Sequence, residues 1–303
     1  MYFATFEFKG EQRLGAFLNM GEGIIPIEKV FEEIGMQPPK DMNELIDSVD
    51  DKTIEVMRAA IEEKGLQKFA LRNEDVKLDA PIPHPRRNII CLGKNYHEHA
   101  KEIEGTDVDK GNELPSHPIY FSKIADPAIG DGAYIVFDEN VTREVDYEVE
   151  LAVIIGRDGI DIKKGDVQEH IFGYTIVNDI SARDLQAGHK QWFRGKSLST
   201  FCPMGPYILH KSAVDYPVEL DIKCAVNGEQ RQNANTRDLI FDIDYVISDI
   251  SRSMYLRSGD IIITGTPSGV GLGFKPFKYL RSGDVVKCEI ENIGTLTNTV
   301  ATV

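Results

Sequence analysis

The sequence has few basic residues for its number of acidic ones. Lysine and arginine number 34 against 49 aspartates and glutamates, which gives a formal net charge of −15 at pH 7. Nucleic acids are bound by basic protein surface, because binding releases counterions from the phosphates. Anionic membrane surfaces also attract basic residues. The acidic balance therefore argues against both kinds of partner.

Cysteines and long apolar runs are also scarce. The cysteines are widely spaced and include no C-x-x-C pair: Cys91, Cys202, Cys224 and Cys288. This spacing argues against a zinc site or a disulfide framework and favours a cytoplasmic location. No apolar run approaches the ~20 residues that a membrane-spanning helix needs. The amino-terminal stretch lacks the basic and then apolar design of a signal peptide.

A chain of 303 residues can bury a sizeable core in one domain or two. The first segment alternates as short strands do, and apolar spacing predicts a long charged helix over NELIDSVDDKTIEVMRAAIEEKG. The proline-rich run DAPIPHPRRN should be extended, because each proline keeps its predecessor out of the helical region. We take this run as the boundary between a small amino-terminal domain, residues 1–80, and a main domain, residues 81–303.

The tetrapeptide RSGD occurs twice in the last part of the chain, at residues 257–260 and 281–284. An apolar segment follows it each time, IIITG in the first case and VVKCEI in the second. We expect two units of a turn and a strand that belong to one sheet system.

Acidic residues alternate with apolar ones in the segment DYEVELAVIIG. Asp146, Glu148 and Glu150 should therefore share one face of a strand. A second apolar segment, FGYTIV, also leads to an acid, Asp179. Two strands that bring Glu148, Glu150 and Asp179 together would form an all-oxygen site suited to Mg²⁺ or Mn²⁺. An ordinary strand with one wet face has the same spacing, which leaves both interpretations open.

A short helix with two histidines is predicted directly after the apolar strand NIICLG. His99 and Glu102 are three residues apart, so they are neighbours on one helical face. A carboxylate beside an imidazole orients the ring and raises its basicity, as a general base that activates water requires. The zinc-protease pattern H-E-x-x-H is excluded because position 101 is Lys101. A surface helix with mixed charges is the alternative on spacing alone.

Two lysines and a glycine-rich stretch are further candidates. Lys123 ends an apolar strand, and Lys196 lies in a G-K-S context. This is not a phosphate-binding loop, since position 190 is Lys190, and a lone lysine of this kind is typical of a solvated loop. The stretch GTPSGVGLGF does not fit the dinucleotide pattern G-x-G-x-x-G. Its backbone amides could approach an anionic ligand, or it could be a plain flexible loop.

In their order along the chain, these segments resemble the fumarylacetoacetate hydrolase family. The matching segments lie across residues 88–273: NIICLGKNYHEHAKE, DYEVELAVIIG, FGYTIVNDISARDLQ, GKSLSTFCPMGP, VNGEQRQ and SGDIIITGTPSGVG. The resemblance implies an α+β, mainly β fold, with a mixed β-sandwich roll as catalytic domain behind a small α+β domain. It also implies a homodimer and a bound Mg²⁺ or Mn²⁺.

The resemblance further implies a role for each candidate residue on the positions that match the family. The implied metal ligands are Glu148, Glu150 and Asp179, the implied catalytic residues are His99, Glu102 and Lys196, and the implied pocket residues are Lys123, Gln186 and Thr266. The helix that carries His99 would act as a lid that becomes ordered over the bound ligand.

The segment GKNYHEHAKE has no aspartate to match the fourth acid ligand of enzymes that cleave fumarylacetoacetate itself. It resembles the branch that acts on acylpyruvates and oxaloacetate, so the expected substrate is a small 2-oxo acid. Our leading hypothesis is metal-dependent hydrolysis of a C–C bond in an acylpyruvate-type 2,4-dioxo acid, with release of pyruvate. The alternatives are oxaloacetate decarboxylation, isomerisation or tautomerisation of a 2-oxo-diacid, and a non-catalytic protein that binds a metal or ligand.

Overall fold

The structure is a computed structural model, which describes residues 1–108 and 114–303. The strands, in chain order, are β1 (Tyr2–Phe8), β2 (Glu11–Phe17), β3 (Ile25–Pro26), β4 (Lys77–Leu78), β5 (Ile89–Gly93), β6 (Ile119–Lys123), β7 (Tyr134–Phe137), β8 (Val145–Asp146), β9 (Val149–Ile155), β10 (Ile171–Asn178), β11 (Ser181–Ala182), β12 (Met204–His210), β13 (Asp221–Val226), β14 (Glu229–Asn235), β15 (Ile261–Ile263), β16 (Val285–Ile290) and β17 (Gly294–Thr302).

The helices are short. The α-helices are α1 (Ile27–Glu33), α2 (Met42–Ser48), α3 (Asp51–Glu63), α4 (His97–Glu102), α5 (Val167–His170), α6 (Arg183–Gly188), α7 (Phe193–Lys196) and α8 (Ile243–Ser251). Single 3₁₀ turns lie at Leu66–Phe69, Asn73–Asp75, Lys164–Asp166, Lys211–Ala213, Thr236–Asp238 and Gly271–Gly273. No helix in the described part of the chain is long and apolar enough to cross a membrane.

A ten-stranded sheet forms the centre of the fold, in the order β3-β2-β1-β12-β10-β9-β15-β5-β6, with β4 paired to β1. Strands β9 and β10 lie in its middle, and every residue of both is buried. Continuous burial is possible because both faces of the sheet are covered. These strands pair antiparallel, with Glu150 opposite Val177 and Val149 opposite Asn178. The start of β9 therefore lies beside the end of β10.

The two faces of β9 contribute to different cores. Val149, Leu151 and Val153 pack in a cluster with the five-stranded sheet β14-β13-β16-β17-β7. Ala152 and Ile154 pack in a second cluster that contains the apolar faces of helices α1 to α3. This alternation follows from the period of two of a strand. The predicted strand over DYEVELAVII is interrupted, since its acidic start forms the separate short strand β8.

The amino-terminal segment is continuous with the central sheet. Strand β1 pairs antiparallel with β12, with Tyr2 opposite Leu209 and Phe3 opposite Ile208. Backbone hydrogen bonds therefore join the segments on either side of residue 80. The division into two domains at this residue stays a prediction. The long helix predicted here is divided into α2 and α3, because Asp50 caps α3 by accepting from Thr53 N at 2.8 Å.

The expectation that both RSGD turns lead into one sheet is wrong. Strand β15, after the first turn, lies in the ten-stranded sheet, and β16, after the second, lies in the five-stranded sheet. The turns themselves are alike, with φ of +84° at Gly259 and +90° at Gly283. The repeated tetrapeptide fixes a local turn that favours glycine, whereas the sheet that each strand joins depends on long-range pairing.

His210 closes β12 in a buried position near the amino terminus, and its backbone N donates to Met1 O at 3.0 Å. Its Nδ1 accepts from Ser212 N at 3.2 Å. Burial lowers the pKa of His210 to about 4, although Asp51 partly opposes this effect. The native state therefore holds His210 in its neutral form near pH 7.

We expect this burial to make folding stability depend on pH. The unfolded chain takes up the His210 proton near pH 6.5 and the folded chain near pH 4, so stability is lost as the pH falls between them. From this group alone, unfolding should cost about 2 kcal/mol less at pH 5 than at pH 8. Urea denaturation at both pH values measures the difference. A His210→Asn variant should reduce the difference, whereas the exposed control His189→Asn should not.

Candidate functional site

Three buried carboxylates meet where β9 begins and β10 ends. Glu148, Glu150 and Asp179 each place one carboxylate oxygen within 4.8 Å of the others. Their positions follow from the antiparallel pairing of β9 and β10, which sets Glu150 opposite Val177, two residues before Asp179. The structure thus brings together the three acids that the sequence pattern left as one of two interpretations and that the family resemblance implied as a group.

The hydrogen bonds show which carboxylate oxygens the protein already uses. Glu150 Oε2 accepts from Gly265 N at 2.7 Å, and Glu148 Oε2 accepts from Lys196 Nζ at 2.8 Å. Asp179 Oδ2 also accepts from Lys196. Asp179 Oδ1 is buried and accepts no hydrogen bond within the described residues. A buried carboxylate oxygen without a donor, beside two further carboxylates, fits a hard divalent cation.

Lys123 lies close to Asp179 but does not donate a hydrogen bond to Asp179 Oδ1. Its Nζ is 3.1 Å from Asp179 Oδ1, but it donates to three backbone carbonyls, those of Ile180, Lys196 and Phe201. An ammonium has only three protons. Lys123 is therefore a buried counter-charge for Asp179 that also holds the surrounding loops.

The buried charges shift the carboxyl groups in opposite directions. Burial, together with the charges of Asp179 and Glu148, raises the pKa of Glu150 well above its ordinary range. Burial also acts on Glu148, but Lys196 and Arg183 outweigh it and lower the pKa of that carboxyl. The site can thus accommodate a further positive charge beside Glu150, and a cation there would favour the ionised carboxylate.

His99 and Glu102 form a hydrogen-bonded pair on α4. His99 is 4% exposed, and its Nδ1 lies 3.3 Å from Glu102 Oε2. Because a carboxylate can only accept, Nδ1 carries the proton, which leaves Nε2 as a base. Asn95 anchors the start of α4, since its amide donates to Thr264 O at 2.8 Å and to Phe241 O at 3.0 Å. The predicted pair is therefore in place and oriented.

One cavity joins the carboxylates to the histidine. It has room for about one water molecule, about 20 Å³. Six predicted site residues line it: His99, Glu148, Glu150, Gln186, Lys196 and Thr266. A 2-oxo acid is larger than this space, so its entry requires the lining to move. A larger cavity of about 660 Å³ beside α2 and α3 contains none of the predicted site residues.

The remaining predicted residues have defined partners. Lys196 is buried and paired with Glu148 and Asp179, which rules out the solvated-loop interpretation. Thr266 Oγ1 donates to Val149 O at 2.9 Å and accepts from Gln232 Nε2 at 2.7 Å. Gln186, on α6, lines the cavity with its Oε1 held by another side chain of the same helix.

Three buried polar residues that support the site were not predicted from the sequence. Gln232 joins β14 to the start of β9, since its Oε1 accepts from Val149 N at 3.1 Å. Arg183 pairs with both Asp146 and Glu148, at 2.9 and 2.6 Å. All three lie in segments that the resemblance quoted: VNGEQRQ, NDISARDLQ and DYEVEL. Their place within these segments was the signal that could have identified them.

The comparison with protein families and with named relatives gives a consistent result. The family model described as "Fumarylacetoacetate (FAA) hydrolase C-terminal" matches residues 88–301. The protein named "Oxaloacetate tautomerase YisK" of Bacillus subtilis (strain 168) is 52% identical over 235 residues, which cover 78% of this chain and 76% of that protein.

Solved structures agree with the fold. The fumarylacetoacetate hydrolase from psychrophilic Exiguobacterium antarcticum has a TM-score of 0.81 at 36% identity, over 100% of both chains. The maleylpyruvate hydrolase from Sphingobium sp. SYK-6, in complex with manganese(II) and pyruvate, has a TM-score of 0.75 at 32% identity, over 100% of this chain and 99% of that one. These similarities confirm the predicted α+β, mainly β fold. The chain belongs to the fumarylacetoacetate hydrolase family.

Proposed function

We propose that this protein catalyses the keto–enol tautomerisation of a 2-oxo dicarboxylic acid of the oxaloacetate type. The observation that carries the proposal is the shared cavity, which is lined by Glu148 and Glu150, two of the three clustered carboxylates, and by His99, whose Nδ1 faces Glu102. The 52% identity to a protein named oxaloacetate tautomerase supports the choice of substrate.

We propose Glu148, Glu150 and Asp179 as the ligands of Mg²⁺ or Mn²⁺. A related structure holds manganese(II) together with pyruvate. A divalent cation bound here would polarise the 2-oxo group and so make the neighbouring C–H bond more acidic. Lys196, paired with two of the three acids, would offset part of the negative charge of the substrate.

Tautomerisation moves one proton between carbon 3 and the oxygen on carbon 2. His99 Nε2 can accept the proton from carbon 3 and return it to that oxygen, and no water is consumed. Glu102 stabilises the imidazolium that exists between the two transfers, because it accepts from Nδ1. A single base that faces the cavity is enough for both transfers.

Hydrolysis of an acylpyruvate, the leading hypothesis from the sequence, is the second candidate. The maleylpyruvate hydrolase similarity favours it, as does a histidine and glutamate pair that could activate a water molecule. We rank it second because the hydrolase structures are 32% to 36% identical to this chain, against 52% for the tautomerase. The homodimer and the cytoplasmic location stay predictions.

Three assays on the purified protein, each with Mg²⁺ or Mn²⁺ and with an EDTA control, separate the candidates. Faster loss of the ultraviolet absorbance of enol-oxaloacetate indicates tautomerisation. Pyruvate released from oxaloacetate indicates decarboxylation, and pyruvate released from acetylpyruvate indicates hydrolysis. Acceleration of only the first reaction supports our proposal, whereas pyruvate release without enol turnover contradicts it. Inactivity in all three assays would favour a binding protein.

We expect His99→Gln to lower the rate of tautomerisation by about 10²-fold or more, because proton transfer loses its base. Stopped-flow measurement of enol loss checks the rate. The control is His97→Gln, since His97 lies on the same helix but is exposed. A His99→Gln variant that retains its full rate would remove this residue from the proton transfer.

We expect Glu150→Gln to weaken the binding of Mn²⁺ at least about tenfold, because one charged ligand is lost. The neutral side chain can still accept from Gly265 N, and it removes the repulsion that raises the pKa of Glu150. The melting temperature of the metal-free protein should therefore stay equal or rise. Calorimetric titration and thermal melting measure the two effects.

A matched control is Asp131→Asn. Asp131 is a half-buried carboxylate that accepts from Thr297 N at 2.7 Å, and it lies outside the cavity. This change should leave the Mn²⁺ affinity as it is. Equal affinities in Glu150→Gln and the wild type would show that Glu150 is not a ligand.

A further inference from the structure

We propose that the glycine-rich loop 269–273, clamped by Asp146, is the element that positions the His99–Glu102 pair. This inference rests on the proposed function, since it gives Asp146 a positioning role in the proton transfer that we assign to His99. Its structural basis is a set of direct contacts between the loop, α4 and the acid site.

The loop holds the carboxylate that orients the imidazole. Glu102 Oε1 accepts from Gly269 N at 2.9 Å, while Oε2 accepts from His99 Nδ1. Ile103, the next residue along, packs on Val270 and Leu272 of the same loop. A carboxylate with one oxygen fixed by a backbone amide cannot rotate away from the imidazole without losing that bond.

The close approach of Glu102 to the loop depends on a glycine. A Cβ atom built at Gly273 would lie 2.1 Å from Glu102 Oε1 and 2.3 Å from its Cδ. Carbon and oxygen atoms that are not bonded to each other stay more than 3 Å apart, so any larger residue would push the carboxylate aside. The backbone of Gly273 lies outside the left-handed region, so steric room for Glu102 is the reason for glycine here.

Asp146 holds the loop by accepting hydrogen bonds from its backbone. Its buried carboxylate accepts from Gly271 N at 2.6 Å and from Leu272 N at 3.0 Å. The same carboxylate pairs with Arg183 Nε at 2.9 Å, and Arg183 Nη2 lies 2.6 Å from Glu148 Oε1. An unbroken series of contacts thus runs from Glu148 through Arg183 and Asp146 to the loop, and from the loop to Glu102 and His99.

These contacts link the proposed metal ligands and the proposed base, so that the position of one depends on the position of the other. Asp146 belongs to the same alternating sequence pattern as Glu148 and Glu150. Its carboxylate, however, binds the loop and Arg183 and does not join the cluster of three acids. Proton transfer requires the base to lie within about 3 Å of the reacting atom, and a misplacement of about 1 Å can cost about 10²-fold in rate. Asp146 is a positioning residue in this sense.

The test is Gly273→Ala, with Gly165→Ala as control. Gly165 also lies in a 3₁₀ turn, and a Cβ there would meet no atom within 4 Å. We expect Gly273→Ala to lower kcat by about 10 to 100-fold with KM within about twofold, and with Mn²⁺ affinity and melting temperature close to the wild type. Gly165→Ala should match the wild type. A kcat of Gly273→Ala within twofold of the wild type would overturn the proposal.

A spectroscopic measurement tests the same point without turnover. In protein with ¹⁵N-labelled histidine, the His99 signal, assigned by its loss in His99→Gln, reports which ring nitrogen carries the proton. Gly273→Ala should shift it from the Nδ1–H form of the wild type towards the Nε2–H form, as Glu102→Gln should. An unchanged tautomer in Gly273→Ala would contradict the proposal even if the activity falls. If the wild type is inactive on every 2-oxo acid, this measurement still decides the positioning role.

Non-additivity provides the last test. If Gly273 acts only through Glu102, the double variant Gly273→Ala/Glu102→Gln should be no slower than Glu102→Gln. Asp146→Asn should give the same loss of kcat as Gly273→Ala and the same tautomer shift. Independent, multiplying effects of Gly273→Ala and Glu102→Gln would mean that the loop acts on the reaction by another route.

Discussion

The burial of three carboxylates within 4.8 Å of one another is the constraint on which the rest of the site depends. Like charges at this distance repel, and burial removes the water that would screen them. The fold supplies buried cations from three other elements: Lys123 ends β6, Lys196 ends α7 and Arg183 begins α6. These cations leave Asp179 Oδ1 without a hydrogen bond within the described residues, which is why the cluster suits a divalent ion rather than a closed salt-bridge network.

The same charges connect the three carboxylates to the His99–Glu102 pair. Arg183 touches Glu148 on one side and Asp146 on the other, and Asp146 holds the loop on which Glu102 rests. Proteins that share this fold carry the names of a tautomerase and of hydrolases, so the fold alone does not select a reaction. What these contacts do fix is the position of the His99 imidazole relative to a carboxylate cluster, and a general base at this position would serve both kinds of reaction.

Much of the candidate site could be predicted because its signals are local. The period of two in DYEVEL and the acid that follows FGYTIV offered the triad as one of two interpretations, and the family resemblance favoured it. The spacing of three predicted that His99 and Glu102 are neighbours on one helix turn. Local signals failed where long-range pairing decides. The two RSGD turns have the same shape, but the strands that follow them lie in different sheets. The role of Asp146 was missed because its hydrogen-bond partner Gly271 lies 125 positions away in the sequence.

The sequence by itself determined the acidic balance, the mainly β pattern and the helix on which His99 and Glu102 are neighbours. These properties depend on residue type and on neighbours within a few positions. Only the tertiary structure decided that Lys196 is buried between Glu148 and Asp179 instead of solvated, and that Glu102 rests on a loop 167 positions away. Burial and contact between distant segments arise from packing the whole chain, and it is this packing that changes the charge state and orientation of each group.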